Sequence, residues 1–111
     1  MIRVAAMILG TLLSFAANAQ TVTIGSYQHP KNESDGIFNK LYLSGARDGL
    51  ISYSGISTDR LFCLPGELAL TVAQAEDIAL RWVKKQTKNV DDGPIAGALL
   101  FGLIETFPCP K

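Results

Sequence analysis

The chain has 111 residues, with ten Lys and Arg balanced by ten Asp and Glu, one histidine and two cysteines. Nothing basic is in excess to neutralise a phosphate backbone, which argues against nucleic acid as a partner. The length is that of one domain, with no low-complexity tract and no internal repeat.

Residues 1–19 read as a signal peptide. Arg3 gives a positive start, residues 4–15 are apolar apart from Gly10, Thr11 and Ser14, and Ala17-Asn18-Ala19 supplies small residues for cleavage before Gln20. The uncharged stretch is shorter than the roughly 20 residues that span a bilayer. No cysteine near the cleavage point offers a lipid site. The expectation is export to the bacterial periplasm, with no membrane attachment after cleavage. The mature chain, residues 20–111, keeps nine Lys and Arg against ten Asp and Glu, a formal charge of minus one.

Residues 20–35 read as a flexible lead-in, broken by His29-Pro30-Lys31-Asn32. His29 is expected to be solvent-exposed, and no pattern of further ligands around it predicts a metal. The first main helix is expected from Gly36, capped by Ser34 or Asp35. Phe38, Leu41, Tyr42, Gly45, Ala46, Gly49, Leu50 and Tyr53 recur at three and four, the spacing of one apolar face. Lys40, Arg47 and Asp48 fall on the other faces. Gly45 and Gly49 on that stripe predict the close approach of another backbone, and Ser54-Gly55 ends the helix.

Residues 56–70 form a connector carrying Cys63, Pro65 and Gly66. The next helix opens on a capping box, Thr71-Val72-Ala73-Gln74, which satisfies two backbone donors reciprocally. Lys84, Lys85 and Lys88 suit its negative C-terminal end. Val72, Ala75, Ala79, Trp82, Val83 and Gln86 mark its inward stripe. Residues 89–93 are a polar turn. Pro94 then fits the first turn of a third helix, with Asp92 or Gly93 as its cap. Residues 95–107 are apolar nearly all round, which predicts a helix at the centre of a core or in an oligomer interface. At about 20 Å it is too short to cross a membrane.

Cys63 and Cys109 form an isolated pair in the exported part, most simply one disulfide. It would close a loop worth roughly 4 kcal/mol in chain entropy. The expected fold is therefore all-α: a small bundle of three main helices with one disulfide, after a cleaved signal peptide.

No catalytic set emerges. Asp91-Asp92 reads as a capping pair, and neither a phosphate loop nor a nucleophile elbow is present. The expectation is a binding protein and not an enzyme, with no catalytic residues, no cofactor and no metal. Phe38, Tyr42, Tyr53, Trp82, Phe101 and Phe107 fall at helical spacing, and core packing accounts for most of them. Their excess in so small a core is surface that a second copy would cover, as a homodimer.

Three segments resemble one family. Residues 38–50, with Tyr42, Gly45, Asp48 and Leu50, resemble the Tyr-x-x-Gly-x-x-Asp-x-Leu first helix of the Rap/Tai immunity proteins. Phe62-Cys63-Leu64-Pro65-Gly66 resembles the Cys-x-Pro connector of that family. Residues 94–110, ending Phe107-Pro108-Cys109-Pro110, resemble its last helix and closing Phe-Pro-Cys. The resemblance covers residues 36–111. It implies a periplasmic, all-helical, often dimeric immunity protein that plugs a peptidoglycan amidase effector of the type VI secretion system. The chain departs from many relatives in lacking an extra cysteine pair, with Asn39 at one of those positions.

Candidate contact residues lie in two loops: Lys88, Asn89, Asp91 and Asp92 in the turn, and Ser57, Asp59 and Arg60 in the connector. Loops on a rigid scaffold commonly carry such contacts. The competing reading is a periplasmic acid-stress chaperone, also small, helical and held by one disulfide. It would dissociate and bind clients at low pH.

Overall fold

Four helices carry residues 21–111, the part of the chain that the computed structural model describes. They are α1 (Ile24–Gln28), α2 (Glu33–Ile56), α3 (Val72–Lys84) and α4 (Ile95–Thr106). Among the described residues there is no strand, only an isolated bridge between Thr23 and Pro94. The signal-peptide reading concerns residues 1–19, outside the described residues.

Local chemistry sets the helix starts. The Thr71 hydroxyl accepts from the Gln74 N–H at 3.1 Å, and the Gln74 side chain accepts from the Thr71 N–H at 2.9 Å. This is the expected capping box. Asn32, and neither Ser34 nor Asp35, caps α2, its side-chain oxygen accepting from the Asp35 N–H at 2.8 Å. An acceptor there satisfies one of the orphan donors of the first turn. Pro94 itself is the cap position of α4 and supplies no side-chain bond. The Ile95 N–H instead donates to the Val22 carbonyl at 3.0 Å, so the N-terminal segment closes that helix end.

The expected lead-in holds α1. Thr23 and Ser26 form a second capping box, and Val22, Ile24 and Tyr27 are buried. Five residues are too few for a periodic signal, yet burying three large apolar side chains stabilises the docking by several kcal/mol, at about 1.5–3 kcal/mol each.

Helix α4 is the hub: α1, α2 and α3 all pack on it. Ile95, Leu99 and Leu103 are fully buried along it, meeting Leu43 of α2 and Phe62 of the connector in one core. The tightest approach is to α3. A Cβ at Gly102 would lie 2.7 Å from both the carbonyl oxygen and Cγ2 of Ile78, so only glycine fits between the two helices. Trp82 stacks on Phe101 across the same pair, with ring centroids 5.2 Å apart. The Cys63–Cys109 disulfide is formed, and the Cys63 N–H donates to the Phe107 carbonyl at 2.8 Å beside it.

Helix α2 departs from the expected face. It runs three residues longer at its N-terminal end than the sequence suggests, and its buried residues are Asn39, Leu43 and Ser54. Phe38, Leu41 and Tyr53 point outward, at 59%, 67% and 57% exposure. Nothing lies within 4 Å of a Cβ built at Gly45 or Gly49, so no backbone of this chain approaches there. The reason is polar. Asn39 donates to the Ser26 carbonyl at 3.0 Å, Arg47 to the Leu70 carbonyl at 3.1 Å and Ser54 to the Phe62 carbonyl at 3.1 Å. These three side chains turn inward with Leu43, and Tyr42, Ala46, Leu50 and Ile51 are partly buried against the core.

The aromatic residues are also redistributed. Of the six rings at helical spacing none is fully buried, and Phe38, Tyr53 and Phe101 are more than half exposed. The buried aromatics are Tyr27 and Phe62, both from segments without helical periodicity.

Candidate partner-binding surface

The turn between α3 and α4 is exposed in its side chains and fixed in its backbone. Lys88, Asn89, Asp91 and Asp92 are all exposed. The Asn89 side chain accepts from the Asp91 N–H at 2.9 Å, an Asx-type turn. The Val90 carbonyl accepts from the Gly93 N–H at 2.9 Å. Two further bonds tie the turn to α1: Gly25 N–H to the Asp91 carbonyl at 2.9 Å, and Ile24 N–H to the Gly93 carbonyl at 2.8 Å. A segment held this way presents four polar side chains at little cost in backbone ordering.

The connector candidates are arranged differently. Ser57 closes α2, and its hydroxyl accepts from the Asp59 N–H at 3.2 Å. Asp59 and Arg60 are exposed. This stretch leads into Cys63, which is bonded to Cys109 and therefore lies at the C-terminal end of α4. The turn lies at the N-terminal end of the same helix. Twelve residues of helix separate the two ends by about 18 Å. The two candidate sets therefore belong to opposite ends of the domain and do not form one small patch.

A polar tie joins α1, α2 and α3 on another side. The Tyr27 hydroxyl donates to Glu76 at 2.5 Å, and Lys40 reaches the same carboxylate oxygen at 3.3 Å. Burial, with the hydrogen bond to Glu76 and its negative charge behind it, pushes the Tyr27 hydroxyl well above the usual tyrosine range. A phenol held so firmly protonated serves as a clamp and is a poor proton-transfer group at neutral pH. Among the described residues no three His, Cys, Asp or Glu side chains gather as a metal site.

Two apolar surfaces remain, neither anticipated as a site. One is an open groove of about 630 Å³ beside the disulfide, lined by Pro65, Leu68, Leu70, Ile78 and Phe107 among others. The other is the outward face of α2, from Phe38 to Ile56. Ile56 is 85% exposed, the highest value among the large apolar residues. The apolar recurrence that marked this stripe was the available signal; its direction was not in the pattern.

These features define a small all-helical, disulfide-clipped protein with exposed polar loops at both ends of a central helix, the one at its N-terminal end held by backbone hydrogen bonds. Residues 16–109 match the family model of the Rap1a immunity proteins, and the chain belongs to that family. The match takes in α1 as well as the segments that carry the resemblance, up to Cys109 in the last of them. No curated protein and no solved structure matches the chain.

Proposed function

We infer that this is a periplasmic immunity protein that binds and inhibits a peptidoglycan amidase effector of the type VI secretion system. Residues 1–19 serve as its signal peptide, the mature protein acts as a homodimer, and it catalyses no reaction of its own. The observation that carries this reading is the family match over residues 16–109. The turn holding Lys88, Asn89, Asp91 and Asp92 supports it further, since its four hydrogen bonds leave the exposed side chains on a backbone that needs no ordering on contact. Of the two candidate loops, this one is the better amidase contact. The connector candidates Ser57, Asp59 and Arg60 have local bonds between the Ser57 hydroxyl and the Asp59 backbone, and among the described residues no bond to another helix, in place of that frame.

The test is inhibition. Purified mature protein is titrated into type VI amidase effectors digesting peptidoglycan, and the released fragments are measured. One effector is expected to lose activity at a one-to-one ratio, and Asp91→Lys with Asp92→Lys to weaken that inhibition. Undiminished activity of every effector at a large molar excess of the protein overturns the reading.

A further inference from the structure

The outward face of α2 has an internal symmetry. Phe38 and Ile56 stand nine residues either side of Arg47, Leu41 and Tyr53 stand six, and Gly45 and Gly49 stand two. At 3.6 residues per turn, Phe38 and Ile56 are five full turns apart and lie on one line along the helix. Gly45 and Gly49 fall about 20° to either side of that line, and Leu41 and Tyr53 about 60°. Between Phe38 and Ile56 no charged residue lies within about 60° of the line. Arg47, at the level of the centre, turns inward to the Leu70 carbonyl and its side chain is 18% exposed.

A stripe that reads alike from either end is what an isologous contact needs, because a two-fold axis sets each residue against its counterpart from the other end. We propose that this face of α2 packs antiparallel on the same face of a second copy, about a two-fold axis at the level of Arg47. The partner's Ile56 then meets Phe38, and Leu41 and Tyr42 meet the level of the partner's Tyr53. Gly45 and Gly49 come together at the centre. Nothing within 4 Å occupies the space over either glycine, so a second backbone can come close there while the large side chains interlock at the two ends.

The area is sufficient. A large side chain covers roughly 150–250 Å² when buried, and Phe38, Leu41, Tyr53 and Ile56 are each more than half exposed, so with the open ground between them they offer on the order of 600 Å², at the low end of specific interfaces. A standard interface takes about 800 Å² per partner. The inference rests on the dimer reading above and gives it a surface and a register.

Light scattering and cross-linking on the mature protein test it. The wild-type chain is expected at twice its monomer mass, and Leu41→Glu or Ile56→Glu at monomer mass. An unpaired charge buried in the interface weakens association by at least about a hundredfold. Circular dichroism should match wild type, since both positions face outward. Phe38→Cys and Ile56→Cys variants, each alone, should not form a covalent dimer, whereas their mixture under mild oxidation should. A wild-type monomer at every concentration overturns both the dimer reading and this inference. A dimer that persists in Leu41→Glu and Ile56→Glu overturns the surface alone. Cross-linking of either single variant, with none in the mixture, overturns the antiparallel register.

Discussion

The α3–α4 pair and α2 solve the problem of a small core in opposite ways. Helices α3 and α4 lie inside one covalent loop, approach until only Gly102 fits against Ile78, and stack Trp82 on Phe101. Helix α2 is twice the length of α4, yet its buried residues are one leucine and two polar side chains. It is tied on by hydrogen bonds to carbonyls of α1 and the connector, with Leu43 in the core and Tyr42, Ala46, Leu50 and Ile51 partly buried against it, and leaves the face from Phe38 to Ile56 open. A domain this small buries only part of its surface, and here the closest packing is concentrated in one pair while the other helix adds a thinner apolar contact and three polar anchors.

Four variants probe this contrast, taken from the largest expected effect to the smallest. Replacing both cysteines, Cys63→Ser with Cys109→Ser, removes closure of a loop with a sequence separation of 46 and should cost about 4 kcal/mol in urea unfolding. A loss below about 1 kcal/mol would mean that the pair does not depend on its clip. Gly102→Ala should cost about 2 kcal/mol, because the new methyl meets the Ile78 backbone, which cannot swing away. Asn39→Ala removes the part-buried hydrogen bond to the Ser26 carbonyl, for a loss of about 1 kcal/mol. Thermal melting would report it, and an unchanged midpoint would show that α1 is not held through α2.

The last change is the same as the second and opposite in sign. Gly45→Ala meets nothing and improves helix propensity, so it should stabilise the chain by about 0.5–1 kcal/mol when measured dilute enough to be monomeric. If Gly102→Ala and Gly45→Ala shifted the midpoint alike, the distinction between the closed pair and the open helix would fail.

What was legible in the sequence follows the same division. The start of α3 could be read from Thr71 and Gln74, the disulfide from the isolated cysteine pair, and the central position of α4 from its lack of polar residues. Each of these signals is local or compositional. The orientation of α2 was not legible, because periodicity counts apolar residues, puts Arg47 on another face, reads Ser54 as the helix end and gives no weight to Asn39. Their partners, the carbonyls of Ser26, Leu70 and Phe62, are remote in sequence and not encoded by side-chain type. Helix α1 was hidden by its brevity, its stability coming from contacts with the turn at residues 91–93. The loop candidates were found as exposed polar segments. Their separation to the two ends of α4 required the fold, since it follows from which end the disulfide pins.

Asn39 is one of two polar residues buried on α2. By the resemblance it occupies a position where many relatives carry a cysteine. Here its amide joins α2 to the carbonyl of Ser26 at 3.0 Å. The N-terminal segment is thus attached to α2 without a covalent bond.

The disulfide also divides the chromophores of the chain. Its three tyrosines, Tyr27, Tyr42 and Tyr53, all precede Cys63, while its single tryptophan, Trp82, lies inside the closed loop and against Phe101. Tyrosine absorbance therefore follows α1 and α2, and tryptophan emission follows the α3–α4 pair, so one unlabelled sample reports on the two halves at separate wavelengths.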